Sequence, residues 1–177
     1  VGATVREDLK QGNKERGYQL TDFDKNKKVL LVMGGSLGSK KLNNIIRQNI
    51  EALLHDYQII HLTGKGLVDD SINKKGYVQF EFVKDDLTDL LAITDTVVSR
   101  AGSNAIYEFL SLRIPMLLIP LGLDQSRGDQ IDNAKNFESK GYGRHIPEDQ
   151  LTEVNLLQEL NDIELHRESI IKQMETY

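Results

Sequence analysis

Residues 29–39, VLLVMGGSLGS, constrain this chain more than any other stretch: a β-branched and aliphatic run drives into a glycine-rich turn, and a long amphipathic segment starts directly after it. Gly34, Gly35 and Gly38 have no Cβ, so the backbone there bends tightly and approaches a ligand closely. A helix that starts beyond such a turn aims its free N–H groups and positive dipole end at whatever sits there, and an anion suits them best. A phosphate site is therefore the first expectation. The plainer reading is a strand–helix turn with nothing bound.

The remaining chain repeats the same alternation. Apolar runs of strand length occur at residues 29–33, 58–62, 77–83, 96–99 and 115–121, with room for a short sixth near 143–146. They are continuously apolar or nearly so, as parallel strands covered on both faces must be. Helical periodicity fills the gaps. Leu42, Ile45, Ile46, Ile50, Leu53 and Leu54 recur at three- and four-residue spacing, which places them on one face. Further helices are expected at 86–93, 103–112 and 129–139, the last with Ile131, Ala134 and Phe137 on one stripe. Gly141 and Gly143 are expected to end that helix. The tail from 148 to 177 reads as helical with a break near Asp162. Strands alternating with helices predict an α/β fold, a Rossmann-like parallel sheet with helices on both faces. Ligands of such sheets sit beyond the carboxyl ends of the strands, so the strand-to-helix loops are the places to search.

Residues 1–28 are polar and highly charged and read as a lead-in, with one short helix around 6–16, rather than as core. The expected organisation is that lead-in followed by one domain over 29–177. At 177 residues the chain suits a single substantial core. A net charge of −5 gives no electrostatic case for nucleic-acid binding. The absence of cysteine excludes disulfides and thiolate metal sites and points to a cytoplasmic location. No apolar run approaches the roughly 20 residues that cross a bilayer. The chain begins with Val and carries no signal-peptide pattern, which reads as a domain of something longer.

Three phosphate ligands compete for the glycine loop. A P-loop needs a second glycine followed by Lys and Ser or Thr, but counting from Gly34 reaches Ser39, Lys40 and Lys41. A dinucleotide site needs GxGxxG and an acidic residue ending the second strand, whereas that strand ends in HLTGKG at 61–66. The third candidate draws support from a second loop. The strand at 97–100 runs into Ala101-Gly102-Ser103-Asn104-Ala105 and a helix carrying Glu108, so two neighbouring turns could share one diphosphate. Glu108 lies opposite the apolar stripe of Ile106, Phe109 and Leu110, and its carboxylate leans toward the helix start. It could accept two hydrogen bonds from a ribose diol, although an ordinary solvated glutamate would look the same. Asp129 and Gln130 follow a polar loop suited to sugar hydroxyls, and taken singly each also reads as a helix-start residue.

GGSLGS, HLTGK, SRAGSNAIYE and IPL…DQ…NA, in this order and spacing, resemble the carboxyl-terminal half of the MurG family, over about residues 5–143. That family transfers N-acetylglucosamine from UDP-N-acetylglucosamine to lipid-linked N-acetylmuramoyl-pentapeptide in peptidoglycan synthesis. The resemblance implies the donor-binding lobe of a glycosyltransferase B fold. It implies that Arg6 contacts the donor, that Gly35 and Ser36 lie against the diphosphate or sugar, and that the main chain of Phe82, Val83 and Lys84 meets the uracil edge. It further implies that Asn104 and Ala105 offer N–H groups to a phosphate, that Glu108 binds the ribose, and that Gln130 reaches the sugar hydroxyls. Asp129 stands where relatives often carry a second glutamine, and Asn104 replaces a more apolar residue.

The implied chemistry is an inverting transfer in which fixed dipoles stabilise the departing diphosphate, with no cofactor and no metal. His61 sits at a strand end and reads as structural or loop-lining, and Asp85, Asp86 and Asp89 read as a helix-start group. No residue of this chain is expected to act as the catalytic base. The base and the lipid-acceptor site are expected in an amino-terminal lobe absent here, so this chain should bind donor without turning it over. The full enzyme is expected to lie peripherally on the cytoplasmic face of the bacterial membrane. The competing readings are a UDP-sugar epimerase or another transferase of the same fold, a non-catalytic nucleotide-sugar-binding subunit, and an NAD-linked domain.

Overall fold

The computed structural model describes residues 12–34, 39–121 and 128–177. Six strands, β1 (Val29–Met33), β2 (Gln58–Leu62), β3 (Tyr77–Phe80), β4 (Thr96–Ser99), β5 (Met116–Leu118) and β6 (Gly143–His145), form a sheet in the order β3-β2-β1-β4-β5-β6. The pairings β1–β2, β2–β3 and β5–β6 are parallel, with Val29 opposite Gln58, Ile59 opposite Tyr77 and Met116 opposite Gly143. All residues of β2, β4 and β5 are buried, as are Val29–Val32 of β1. Side chains alternate between faces along a strand, so unbroken burial means that both faces are covered. The described residues form two compact units, 12–97 and 98–177.

In the unit spanning 12–97, the first helix is α1 (Lys14–Thr21). Asn13 Oδ1 accepts from the N–H of Arg16 and starts the helix at residue 14, so it lies later than the expected 6–16. Residues 6–11 are outside the described residues. Nor are all of the first 28 residues a solvated lead-in: Gly17, Thr21 and Phe23 are buried. A Cβ on Gly17 would stand 2.5 Å from the carbonyl oxygen of Asp89 in α4 (Leu87–Ala92), so the two helices pack backbone against backbone.

The apolar stripe after the glycine turn folds as two helices, α2 (Lys40–Gln48) and α3 (Ile50–Asp56). Leu42, Ile45, Ile46, Ile50 and Leu53 are buried on it as expected, and Leu54 is half-buried. The break falls at Asn49, whose buried side-chain amide donates to the Ile45 carbonyl at 2.9 Å and satisfies a group that the helix end would orphan. β3 stops at Phe80 instead of running to residue 83, and Glu81 and Phe82 beyond it are exposed.

Behind β2 lies a buried polar relay. His61, fully buried, bonds Asn43 Oδ1 through Nε2 at 2.8 Å and the Tyr77 hydroxyl through Nδ1 at 2.6 Å. Asn43 Oδ1 can only accept, so Nε2 carries the proton and Nδ1 accepts from Tyr77. Asn43 in turn donates to the Thr63 carbonyl at 2.9 Å, which ties α2 to the end of β2. Burial, with the Arg47 guanidinium nearby, lowers the pKa of His61 to about 3. This histidine is structural.

In the unit spanning 98–177, α5 (Ser103–Ser111) follows β4, α6 (Asp129–Ser139) precedes β6, and a 3₁₀ turn (Glu148–Gln150) leads to α7 (Glu153–Leu165) and α8 (Arg167–Met174). β5 is shorter than the expected 115–121 because Pro115 and Pro120 have no N–H to give to a ladder. Gly141, at φ 82°, follows α6 in the left-handed region as expected. Gly143 does not end the helix; it opens β6, where a Cβ would fall 2.0 Å from the Met116 carbonyl oxygen. On α6, Ala134 and Phe137 are buried and Ile131 only half-buried. The break in the tail falls at His166 rather than near Asp162, and Thr152 with Asn155 forms the capping box that starts α7.

Two outcomes are expected. Gly17→Ala should lower stability by about 1–3 kcal/mol, read as a fall in the thermal midpoint, since the helices can admit a methyl only by separating. His61 has a folded pKa below its unfolded value of 6.5, so its contribution is complete above pH 6.5 and is lost as pH falls below it. Urea unfolding between pH 8 and pH 5 should give His61→Gln a shallower acid slope than the parent, by up to about 1.4 kcal/mol per pH unit.

Candidate functional site

Within the unit spanning 12–97, the carboxyl ends of β1, β2 and β3 open on a cleft of about 260 Å³ lined by Met33, Leu62, Glu81, Phe82, Val83, Lys84 and Leu87. Five of the seven side chains are apolar. Phe82 is 51% exposed, so much of an aromatic side chain stands in solvent beside a hydrophobic hollow, an arrangement suited to a planar ring. Val83 is half-buried and Lys84 exposed, and both line this cleft. The main chain is held in register here: Thr63 N–H donates to Phe80 O at 2.9 Å and Gly64 N–H to Glu81 O at 2.8 Å, so parallel pairing continues past the strand ends.

Gly34, buried, leads into the glycine turn, and Ser39 leaves it as the cap of α2, its hydroxyl accepting from the N–H of Leu42 at 3.2 Å. Gly35 and Ser36, with Arg6, lie outside the described residues. The aspartates at the start of α4 hold α1: Asp89 Oδ1 accepts from the N–H of Asn13 at 2.9 Å and Asp86 from Arg16 at 3.4 Å. Among the described residues no group of three or more His, Cys, Asp or Glu side chains could hold a metal ion.

Within the unit spanning 98–177, the turn from β4 to α5 has a different construction. Ala101 is fully buried, and Gly102 is the N-cap of α5 with φ −72° and ψ 138°. No side chain caps this helix, and a Cβ on Gly102 would meet nothing within 4 Å. Absence of a capping oxygen leaves first-turn N–H groups to be satisfied by water or a ligand, with the dipole favouring an anion. Ser103 and Asn104 are exposed and Ala105 is half-buried, so the two residues expected to meet a phosphate stand at this open end. Ile106, Phe109 and Leu110 are buried, and Glu108, as expected, keeps off that stripe and is half-buried.

The start of α6 supplies the remaining residues. Gly128 caps it at φ 84°, Asp129 is exposed, and Gln130 is half-buried. Gln130 Oε1 accepts from the N–H of Leu121 at 3.0 Å, which orients its amide and leaves the Nε2 end for a further partner. One turn on, Asn133 Nδ2 donates to the Ala101 carbonyl at 3.0 Å. Arg100, inside the turn, donates to Ile119 O at 3.3 Å and to Glu148 Oε1 at 3.0 Å. Sequence reasoning assigned no role to Asn133, Arg100 or Glu148. The three-residue offset of Asn133 from Gln130 was a readable signal, but Glu148 lies 48 positions from Arg100 and left none.

Residues 29–177 match the model of the glycosyltransferase family 28 C-terminal domain. Over its whole length the chain is 82% identical to the UDP-N-acetylglucosamine--N-acetylmuramyl-(pentapeptide) pyrophosphoryl-undecaprenol N-acetylglucosamine transferase of Staphylococcus haemolyticus, and 72% identical to the Staphylococcus aureus enzyme of that name. It spans about half the length of the curated relatives it matches. Among solved structures, MurG of Acinetobacter baumannii superposes with a TM-score of 0.69 at 20% identity, over 98% of this chain and 51% of that one. A glycosyltransferase of kitacinnamycin gives 0.70 at 20% identity, over 85% of this chain and 38% of that one. At that identity the likeness speaks to fold alone. With its sheet, its strand-end loops and its matched residues 29–177, the chain belongs to the glycosyltransferase family 28 C-terminal domain family.

Proposed function

We propose that this chain is the donor-binding lobe of an inverting N-acetylglucosaminyltransferase that uses UDP-N-acetylglucosamine to glycosylate a lipid-linked N-acetylmuramoyl-pentapeptide. The observation that carries the reading is the 82% identity, over every residue of this chain, to a relative named for that reaction. The local geometry suits it. The apolar cleft beside Phe82, Val83 and Lys84 fits a uracil ring, and the N-terminus of α5, open at Asn104 and Ala105, fits a phosphate. In this reading Glu108, half-buried on α5, receives the ribose diol, and Asp129 and the Nε2 end of Gln130 meet the sugar. Arg6, Gly35 and Ser36 belong to the same proposal on sequence grounds alone.

In the reaction, an acceptor hydroxyl forms a bond to the anomeric carbon while the bond from that carbon to the diphosphate oxygen breaks on the opposite face. The hydroxyl proton passes to a base that we place outside these 177 residues, as we do the lipid-acceptor site. Charge accumulates on the departing UDP, where backbone N–H groups already point, so no reorganisation is needed in the transition state. No helix among the described residues is long and apolar enough to cross a membrane. We propose that the complete enzyme meets its lipid acceptor as a peripheral protein on the cytoplasmic face.

Calorimetry of the chain with UDP-N-acetylglucosamine, UDP and NAD, run side by side, tests the reading. Binding of both uridine nucleotides and none of NAD is expected, with no transfer to the lipid acceptor by this chain alone; NAD binding would overturn it. Glu108→Ala should weaken UDP by about tenfold, the worth of a charged hydrogen-bond partner. The same substitution should leave 2′,3′-dideoxy-UDP nearly unaffected, and an equal loss with both nucleotides would remove Glu108 from the ribose.

A further inference from the structure

Arg100 and Glu148 form an ion pair with side-chain exposures of only 12% and 19%, in the part of the molecule that carries the open end of α5. Withdrawing two charges from water is costly before their attraction is counted, and apolar residues of the same volume often stabilise a fold as well. Such a pair is better explained by what it holds in place than by stability alone. Its two ends lie at different strand exits. Arg100 is the first residue after β4, and its guanidinium also donates to the carbonyl of Ile119, the first residue after β5. Glu148 opens the 3₁₀ turn beyond β6, and its own N–H donates to Pro120 O at 3.2 Å. Asn133 of α6 donates to the Ala101 carbonyl at 3.0 Å. Residues 100–101 are thus tethered through the Arg100 guanidinium and through the Asn133 amide. The next residue is Gly102, the N-cap that brings no side chain to α5. The direction of the α5 N–H groups depends on this short segment, because a glycine with open space around it supplies no restraint of its own.

We propose that Arg100 and Glu148 are positioning residues for the donor diphosphate, acting through residues 100–102 to aim the N-terminus of α5. The inference rests on the functional reading above. Arg100 acts as a planar fork with two fixed acceptors, a role that a lysine point charge does not reproduce. Neither side chain needs to touch the nucleotide, so both act on phosphate recognition and not on the base.

The test is calorimetry of the parent chain, Arg100→Lys and Glu148→Gln with UDP and with uridine, alongside thermal unfolding without ligand. Both variants are expected to bind UDP about tenfold more weakly while binding uridine as the parent does, because only the phosphates read the aim of α5. A general loosening of the fold would instead weaken both ligands together, and that result overturns the proposal. Should Arg100→Lys fail to fold, Glu148→Gln, which preserves shape and removes one charge, carries the decision by itself. A parent that binds UDP with variants indistinguishable from it defeats the positioning role alone; a parent that binds no UDP defeats the functional reading and this inference together.

Discussion

Burial of both faces of the parallel strands governs this molecule. Once Leu30, Leu31, Ile59, Ile60, Val97, Val98, Leu117 and Leu118 are all withdrawn from water, β2, β4 and β5 keep no face on which polar chemistry can be mounted. Functional groups are driven to the strand ends, where the chain must turn and backbone N–H groups run out of partners. The apolar cleft at the ends of β1 to β3, and the uncapped start of α5 after β4, both follow from that constraint.

Two buried polar side chains on β2 are committed to protein partners. His61 spends both ring nitrogens, on Asn43 and Tyr77, and the result joins α2 to β2 through Thr63. Gln58 does similar service at the other end of the same strand, accepting from the N–H of Asp24 at 2.7 Å and donating to the carbonyls of Asp24 and Lys27. In a medium of low dielectric these bonds gain strength, and an unmet partner would be expensive. The carboxylates at the start of α4 are solvent-accessible, and two of them bond to α1.

The α/β architecture was legible in the sequence because continuous apolar runs and 3.6-residue periodicity report two-sided and one-sided burial directly. Departures cluster where a local competitor acted. Asn13 reset the start of α1, Asn49 divided the long amphipathic stripe, and two prolines shortened β5. Gly143 was misread as a helix terminator because a glycine needed for close approach looks identical to one needed for a left-handed turn. Among the candidate site residues, Val83 and Lys84 line the cleft beyond β3, and Asn104, Ala105 and Glu108 lie on α5. Gln130 brought a restraint that no motif announced, its hydrogen bond to the main chain of Leu121.

By itself, then, the sequence determined the order of strands and helices, the turns that could receive an anion, and the family to which those turns belong. These follow from periodicity and from residues adjacent in the chain. Tertiary structure alone decided that Arg100 would meet Glu148, that Asn133 would hold Ala101, and that His61 would be locked neutral between two helix and strand partners. Contacts between residues tens of positions apart depend on how the elements pack, and no local pattern encodes the geometry of that packing.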